Sequence, residues 1–375
     1  MNVGRWASSV GTLTTSNGNP ALIRLIRDEV ERHGPVSFAW LMKQALYHPE
    51  HGYYSSGRCV IGRKGDYFTN VAVGPLFGQL MLAQFAEIWE QLGKIDNFVI
   101  VEQGSHDGQF ACDVLQIAQI RAPEFFEALR YRIIEPFPIL RKRQSQMLER
   151  FRKKVEWRVS LEPFIGIHFS NELLDAMPVR LIGGDTEKLV DVQNDKLVFI
   201  ERPRSNAAFN QEALDWVDSV ATNLQRGYVI AIDYGHSGTE SHRNIQVRAQ
   251  HRHLDSPFKD LGHADITMHV DWTSIARRAE ASGLAIAGFT DQHHFLTGII
   301  SSWPDLLQMN STNSTALNSG VLTDADRKTK RALQTLLHPE MLGRSFQVLA
   351  LQKGAHPAAP LAGLKFARDR LLPPE

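Results

Sequence analysis

Glu102 and Glu135 each stand at the carboxyl end of an apolar, β-branched run, and a glycine turn follows the first of them. The run Phe98-Val99-Ile100-Val101 reads as a strand buried on both faces. Gly104 and Gly108 then let the chain reverse into Phe110, Ala111, Val114, Leu115 and Ala118, which recur at helical spacing. A strand, turn and helix in that order look like the first unit of a Rossmann-like nucleotide site, whose ligand sits at the strand's carboxyl end. A carboxylate such as Glu102 inside an apolar strand needs partners, which the amides of the glycine loop or a ligand's ammonium could supply. Glu135 ends Tyr131-Arg132-Ile133-Ile134 and can accept both hydroxyls of a ribose, or cap the helix that starts after it. The phosphate-cradling patterns G-x-G-x-x-G and G-x-x-x-x-G-K-[ST] are absent. A strand-end acid also suits a cationic ligand better than a pyrophosphate.

Two further constellations fall at strand ends. Asn171-Glu172-Leu173-Leu174-Asp175 follows the run 165–170 and offers an amide and two acids at i and i+3. Such acids can hold a cationic substrate or take up a proton, and they can equally be the cap and first-turn acids of a helix. Asp233-Tyr234-Gly235-His236 ends the run Val229-Ile230-Ala231-Ile232 and points to the same crevice. The 15 histidines show no spacing that would hold a metal, so no metal is expected.

The elements that must position these residues alternate. Strands are expected at 98–102, 131–135, 165–170, 228–233, 284–290 and 345–351, with helices between most of them, which implies a mostly parallel α/β sheet covered on both faces. Residues 1–20 read as a flexible lead-in and 21–95 as a helical N-terminal subdomain that could act as a lid. A Rossmann-like domain is expected over 96–353 with insertions at about 178–203 (β) and 294–340 (helical), then a tail over 354–375. The polar loop 65–70 separates the first helices from an amphipathic helix expected from Pro75 to Leu92.

Composition narrows the partners. Lys plus Arg and Asp plus Glu number 41 each, so no net field draws the chain to nucleic acid or an anionic membrane. No apolar run approaches the roughly 18 residues of a membrane span. Cys59 and Cys112 are the two cysteines, far apart, as expected of reduced thiols in a cytoplasmic compartment. A nicotinamide oxidoreductase is disfavoured because Gln109 and Phe110 follow Gly108 where a third glycine should come.

Seven motifs occur in an order that resembles one family. They are Leu46-Tyr47-His48-Pro49-Glu50-His51-Gly52-Tyr53-Tyr54, Gly65-Asp66-Tyr67-Phe68-Thr69 with Phe77-Gly78, Val101-Glu102-Gln103-Gly104, and 171–179. Ile232-Asp233-Tyr234-Gly235-His236, 262–271 and 341–349 complete the set. Together they look like the MidA-type methyltransferases, bacterial relatives of the mitochondrial factor that methylates an arginine of a complex I subunit. The resemblance implies a class I methyltransferase fold, with a seven-stranded sheet whose last strand is antiparallel, and S-adenosyl-L-methionine as cofactor. It implies that Glu102, Gly104, Gly108, Glu135, Asp66, Phe68 and Thr69 bind the cofactor. Tyr67 and Phe68 could add cation–π contact with its sulfonium. By the same resemblance the methyl acceptor is a protein arginine that becomes symmetrically dimethylated, and the acids Glu172 and Asp175, with Asn171 beside them, could orient one nitrogen of such a guanidinium. A non-arginine acceptor and a non-catalytic assembly protein are the alternatives. One position departs from the family's E-x-G-x-G-x-G: His106 replaces the middle glycine. Its ring is expected either to crowd the cofactor or to turn outward if φ stays below zero.

Overall fold

The computed structural model describes residues 18–57, 69–237, 245–249, 252–305, 324–355, 357, 359–367 and 371. Expectations for the lead-in up to residue 17, for Cys59, Asp66, Tyr67 and Phe68, and for the polar loop 310–319 therefore lie outside the described residues. The chain divides into two compact units, one made of 60–177, 210–244 and 267–375, the other of 1–59, 178–209 and 245–266.

The larger unit holds seven principal strands: β1 (Phe98–Gln103), β2 (Leu129–Ile134), β3 (Val155–Arg158), β4 (Phe164–Asn171), β5 (Leu224–His236), β6 (Ala285–Asp291) and β7 (Phe346–Lys353). They lie in the order β3-β2-β1-β4-β5-β7-β6, with Val270–Asp271 pairing beside β5. Only β7 runs antiparallel to its neighbours. This is the seven-stranded class I methyltransferase sheet that the resemblance implies. Strand order reverses between β1 and β4, the switch point at which open α/β sheets hold ligands.

Side chains alternate across β1 into two cores. Phe98 and Ile100 join Tyr131, Phe169 and Phe346 on one face, under α1 (Leu76–Gln91), α2 (Gln109–Arg121) and α6 (Gln292–Ser302). Val99 and Val101 join Val229, Ala231 and Phe289 on the other, under α4 (Gln211–Asn223) and α5 (Trp272–Ala281). Phe110 of α2 stacks on Phe169 with ring centroids 4.5 Å apart, fixing the helix behind the glycine turn. The stripe read from the sequence is buried as a set: Phe110, Ala111, Val114, Leu115 and Ala118. Helix α3 (Pro138–Met147) follows β2, and α7 (Asp324–Leu337) lies beyond α6.

Strand β3 was not among the expected strands. Its four residues carry two charges and bury only Val155 fully, too short a run for period-two alternation to register. Strand β5 extends beyond the expected 228–233 at both ends.

In the smaller unit the helices Pro20–His33 and Phe38–Tyr47 start at Asn19 and Ser37, whose side chains accept the first free amides. The excursion folds as strands Leu181–Gly183, Thr186–Gln193 and Lys196–Pro203, to which Val36–Ser37 adds a fourth. No helix among the described residues is long and apolar enough to cross a membrane.

Candidate active site

The β1–α2 turn is held in a conformation that glycine accepts readily. Gly104 has φ 82° and Gly108, the N-cap of α2, has φ 86°. The Gly108 amide donates to Ser105 O at 2.8 Å, and the Gln109 amide donates to Asp107 Oδ1 at 3.1 Å. His106 between them also takes a positive φ, 47°. The expectation that it could turn away by keeping φ negative is thereby corrected, and His106 is among the residues that line the cleft.

That cleft, about 710 Å³ with its open mouth included, lies at the carboxyl ends of β1 and β4. Thr69, Glu102, Gly104, Asn171 and Glu172 line it together with His106. Glu102 is 4% exposed, and the Tyr131 hydroxyl of β2 donates to its Oε2 at 2.7 Å. Burial pushes the Glu102 carboxyl up to about 8; the Tyr131 hydrogen bond restrains that rise and the nearby Asp107 adds to it. A carboxyl so placed is poised to ionise when a cation arrives.

Glu135 is also buried, and its two oxygens are engaged. Oε1 accepts from the Phe137 amide at 2.9 Å, at the head of α3. Oε2 accepts from Gln144 Nε2 at 3.0 Å, and the same amide nitrogen reaches Ser105 Oγ and His106 O. Gln144 thus ties the glycine turn to the end of β2. Burial raises the Glu135 carboxyl above its ordinary value, against these hydrogen bonds. The helix-capping geometry is realised here, and Glu135 is not among the cleft-lining residues.

The segment after β4 forms a loop rather than a helix. Glu172 takes φ 54° and lines the cleft, which Asp175 does not. Its Oε1 accepts from Asn171 Nδ2 at 2.8 Å and from the Asn70 amide at 3.2 Å, while Asn70 Nδ2 donates to Asn171 Oδ1 at 2.8 Å. The partner brought to Glu172 is therefore the amide pair Asn70–Asn171. Asp175 is buried and is not among the cleft-lining residues. The loop is pinned from β5: Asp233 Oδ2 accepts from the Leu174 amide at 2.8 Å and from the Asp175 amide at 3.2 Å. Asp233 thus shapes the loop, and burial raises its carboxyl despite those amides. Thr69 is buried and accepts from the Ala72 amide at 3.1 Å.

Sequence reasoning missed three contributors. Tyr131 was read as a strand residue only; it reaches Glu102 because β1 and β2 pair Ile100 with Tyr131 and Glu102 with Ile133, which makes the two side chains diagonal neighbours on one face. Asn70 lay at the end of a polar loop with no motif to single it out. Gln103 was passed over inside its motif, yet its Oε1 receives Trp216 Nε1 at 3.0 Å and sits 2.9 Å from Nε2 of the buried His168. Burial pushes that histidine down to about 3, so it is neutral and serves as scaffold.

Comparison with known proteins gives this geometry a family. Among curated relatives, the "Protein arginine methyltransferase NDUFAF7, mitochondrial" of Bos taurus is 25% identical over 93% of this chain and 87% of its own length. The Drosophila melanogaster homolog is 25% identical over 90% and 86%. A crystal structure from Burkholderia thailandensis, bound to S-adenosyl-homocysteine, matches with a TM-score of 0.80 and 25% identity, covering 95% of this chain and 98% of that one. The family model described as "Putative S-adenosyl-L-methionine-dependent methyltransferase" matches residues 80–211 and 191–290, more than half of the chain. The sheet, the glycine turn and the acid-lined cleft are those of a chain that belongs to this family of S-adenosyl-L-methionine-dependent methyltransferases.

Proposed function

We propose that this chain transfers the methyl group of S-adenosyl-L-methionine to an arginine side chain of a protein. The observation that carries the reading is the Glu172 carboxylate, fixed on the cleft wall by Asn70 and Asn171. The names of the curated relatives support the arginine acceptor.

The residues present fit the cofactor. A buried acid at the end of β1 suits an ammonium, and the turn at Gly104 keeps its backbone close to the cleft. Glu102, Gly104 and Gly108 would hold the methionine and sugar portion, with Thr69 beside them. Glu135, by the family resemblance, would hold the ribose hydroxyls through lone pairs beyond those that Phe137 and Gln144 engage. Asp66 and Phe68, by the family pattern, belong to the same set. When bound, the sulfonium supplies an electrophilic methyl carbon.

This chain's own groups then orient and desolvate. Glu172 would accept N–H hydrogen bonds from the incoming guanidinium, which orients one nitrogen in line with the methyl carbon, and would take up the proton that this nitrogen must shed as the N–C bond forms and the C–S bond breaks. Asn171 steadies that carboxylate, and Asp175 acts as a positioning residue through the loop that Asp233 holds. Phe110 and Phe169, stacked on each other, give the cleft an apolar wall.

The test is incubation of the purified protein with S-adenosyl-L-methionine labelled on its methyl, together with host lysate and arginine-containing peptides, followed by mass spectrometry. Label on arginine guanidinium nitrogen is expected. Label confined to lysine, a carboxyl group or a small molecule would refute the arginine acceptor, and no transfer with cofactor bound would favour the assembly-protein alternative. Glu172→Gln should lower turnover at least a hundredfold while S-adenosyl-L-methionine affinity stays within a few fold. Equal losses in both would move Glu172 to the cofactor side.

A further inference from the structure

A strongly charged stretch of the chain lies outside the roles described so far. Residues 138–154, which span α3 and the turn Glu149–Phe151, hold seven basic residues and one acid. Helical periodicity puts the charge outside. Leu140, Gln144, Leu148 and Phe151, four or three residues apart, are buried, so α3 turns its apolar stripe to the core. Ile139, Lys142, Gln146 and Met147 fall on the opposite side and are exposed, as are Arg150, Arg152 and Lys153 beyond the helix end. Arg152 meets Glu149 at 3.4 Å and Lys154 meets Glu127 at 3.5 Å. Lys142, Arg150 and Lys153 make no ion pair among the described residues, and Arg150 lies over the Phe151 ring at 4.5 Å. Ile139 is 42% exposed and Met147 37%, two of the few large apolar side chains turned to solvent.

We propose that the outer face of α3, with the turn after it, is a docking surface for an acidic segment of the protein acceptor. Unpaired cations interleaved with Ile139 and Met147 complement a polypeptide that offers carboxylates and apolar side chains in turn. A single-stranded polynucleotide would meet the cations but find no aromatic ring within 138–147 to stack on. A bilayer would meet a face too polar to insert, because the apolar stripe of α3 is already buried. The helix also stands beside the cleft. On its buried side Gln144 donates to Ser105 Oγ at 2.9 Å and to His106 O at 3.0 Å, both in the cleft-lining turn. A segment held on the other side of α3 is thereby kept near the site where its arginine must arrive, which raises the local concentration of the acceptor. That the docked partner is the acceptor rests on the reading of this chain as a protein methyltransferase.

Fluorescence anisotropy with labelled probes tests it: a short peptide carrying one arginine beside a run of Glu and Leu, and the same peptide with Gln for every Glu. Oligodeoxythymidylate and phosphatidylglycerol vesicles are compared with them. Wild type should prefer the acidic peptide, and its affinity should fall as salt is added. Lys142→Gln/Arg150→Gln/Lys153→Gln should weaken that binding about tenfold while S-adenosylhomocysteine affinity and melting temperature stay at wild-type values. Lys142→Gln/Lys153→Gln, which keeps Arg150 on Phe151, should show a smaller loss and guards against an effect on folding. Ile139→Gln/Met147→Gln should weaken the acidic peptide as well. In methyl transfer, the triple variant should raise KM for the acidic peptide and leave kcat, and transfer to the neutral peptide, unchanged. No preference for the acidic peptide, or equal binding by wild type and the triple variant, would overturn the proposal. Tighter binding of the oligonucleotide or the vesicles, lost in the triple variant, would make the face a polynucleotide or membrane site and overturn it too. Docking without transfer to arginine would refute the arginine acceptor and leave the docking face standing. Transfer whose KM ignores the three cations would do the reverse.

Discussion

At the scale of single residues, Glu102 shows how a binding site is maintained against stability. Its carboxyl rests at about 8 in the folded protein, raised from 4.5 chiefly by burial. The folded state therefore holds this proton more tightly than the unfolded chain does. The stabilisation that follows is complete below the unfolded value and is lost as pH rises toward about 8, because the unfolded carboxyl ionises first. Glu102→Gln keeps the shape, keeps an acceptor for the Tyr131 hydroxyl and removes the proton equilibrium. Its unfolding free energy, measured in denaturant, should exceed wild type by on the order of 1–3 kcal/mol at pH 8 and by much less at pH 5. The same variant should bind the cofactor at least tenfold more weakly. A stability difference that is the same at both pH values would show that Glu102 does not titrate as its burial dictates. That Glu102 is the key acid was legible, because a charge in an apolar run stands out. Its Tyr131 partner was not, because diagonal contacts depend on strand register.

At the scale of elements, the site depends on two junctions where a strand-end acid organises its neighbour. Glu135 holds the head of α3 through the Phe137 amide and clasps Gln144, which reaches back to the glycine turn. Glu135→Ala should therefore cost about 1–3 kcal/mol of unliganded stability and weaken cofactor binding as well. Weakened binding with unchanged melting would show that the cap contributes nothing. Asp233 does the same for the loop after β4. Asp233→Ala strands the Leu174 and Asp175 amides. Hydrogen exchange should then quicken across 172–177 while Asp233→Asn, which keeps an oxygen acceptor, stays near wild type; exchange unchanged in the alanine variant would refute the pinning role. Replacing Gly104 by valine, an obvious probe from sequence alone, is a poor one. A Cβ there would come within 3.4 Å of Leu173 and would have to adopt φ 82°, so the variant would disturb the turn before it touched any ligand. The long periodic elements were readable: the strands at β1, β2, β4 and β5 and the stripe of α2. The loop after β4 was not, because Asn171, Glu172 and Asp175 suit a helix start equally well, and the hydrogen bonds of Glu172 run to Asn171 and to the distant Asn70, which no local pattern records.

At the scale of the whole chain, equal numbers of acidic and basic residues leave no net field, so recognition must come from local charge. The mostly parallel sheet followed from alternating strands and helices, and its antiparallel last strand from the family resemblance. The grouping of 1–59 with 178–209 and 245–266 was not legible, since distant segments join by packing that no local pattern records. Ligand binding is the property through which the local charge reaches global stability. S-adenosylhomocysteine at one hundred times its dissociation constant should raise the unfolding free energy by about 2.7 kcal/mol. Part of that gain depends on pH. The ligand's ammonium is best received by an ionised Glu102, and below about 8 a proton must leave that carboxyl first. Each pH unit below that value should weaken affinity by up to about tenfold. The melting shift at fixed ligand concentration should accordingly be larger at pH 8.5 than at pH 6.5, and calorimetry in buffers of different ionisation enthalpy should detect proton release at pH 6.5. Glu102→Gln should bind weakly and show neither dependence. A shift of equal size at both pH values in wild type, with no proton released, would mean that the ammonium is received elsewhere and that the acid beneath the glycine turn serves only the fold.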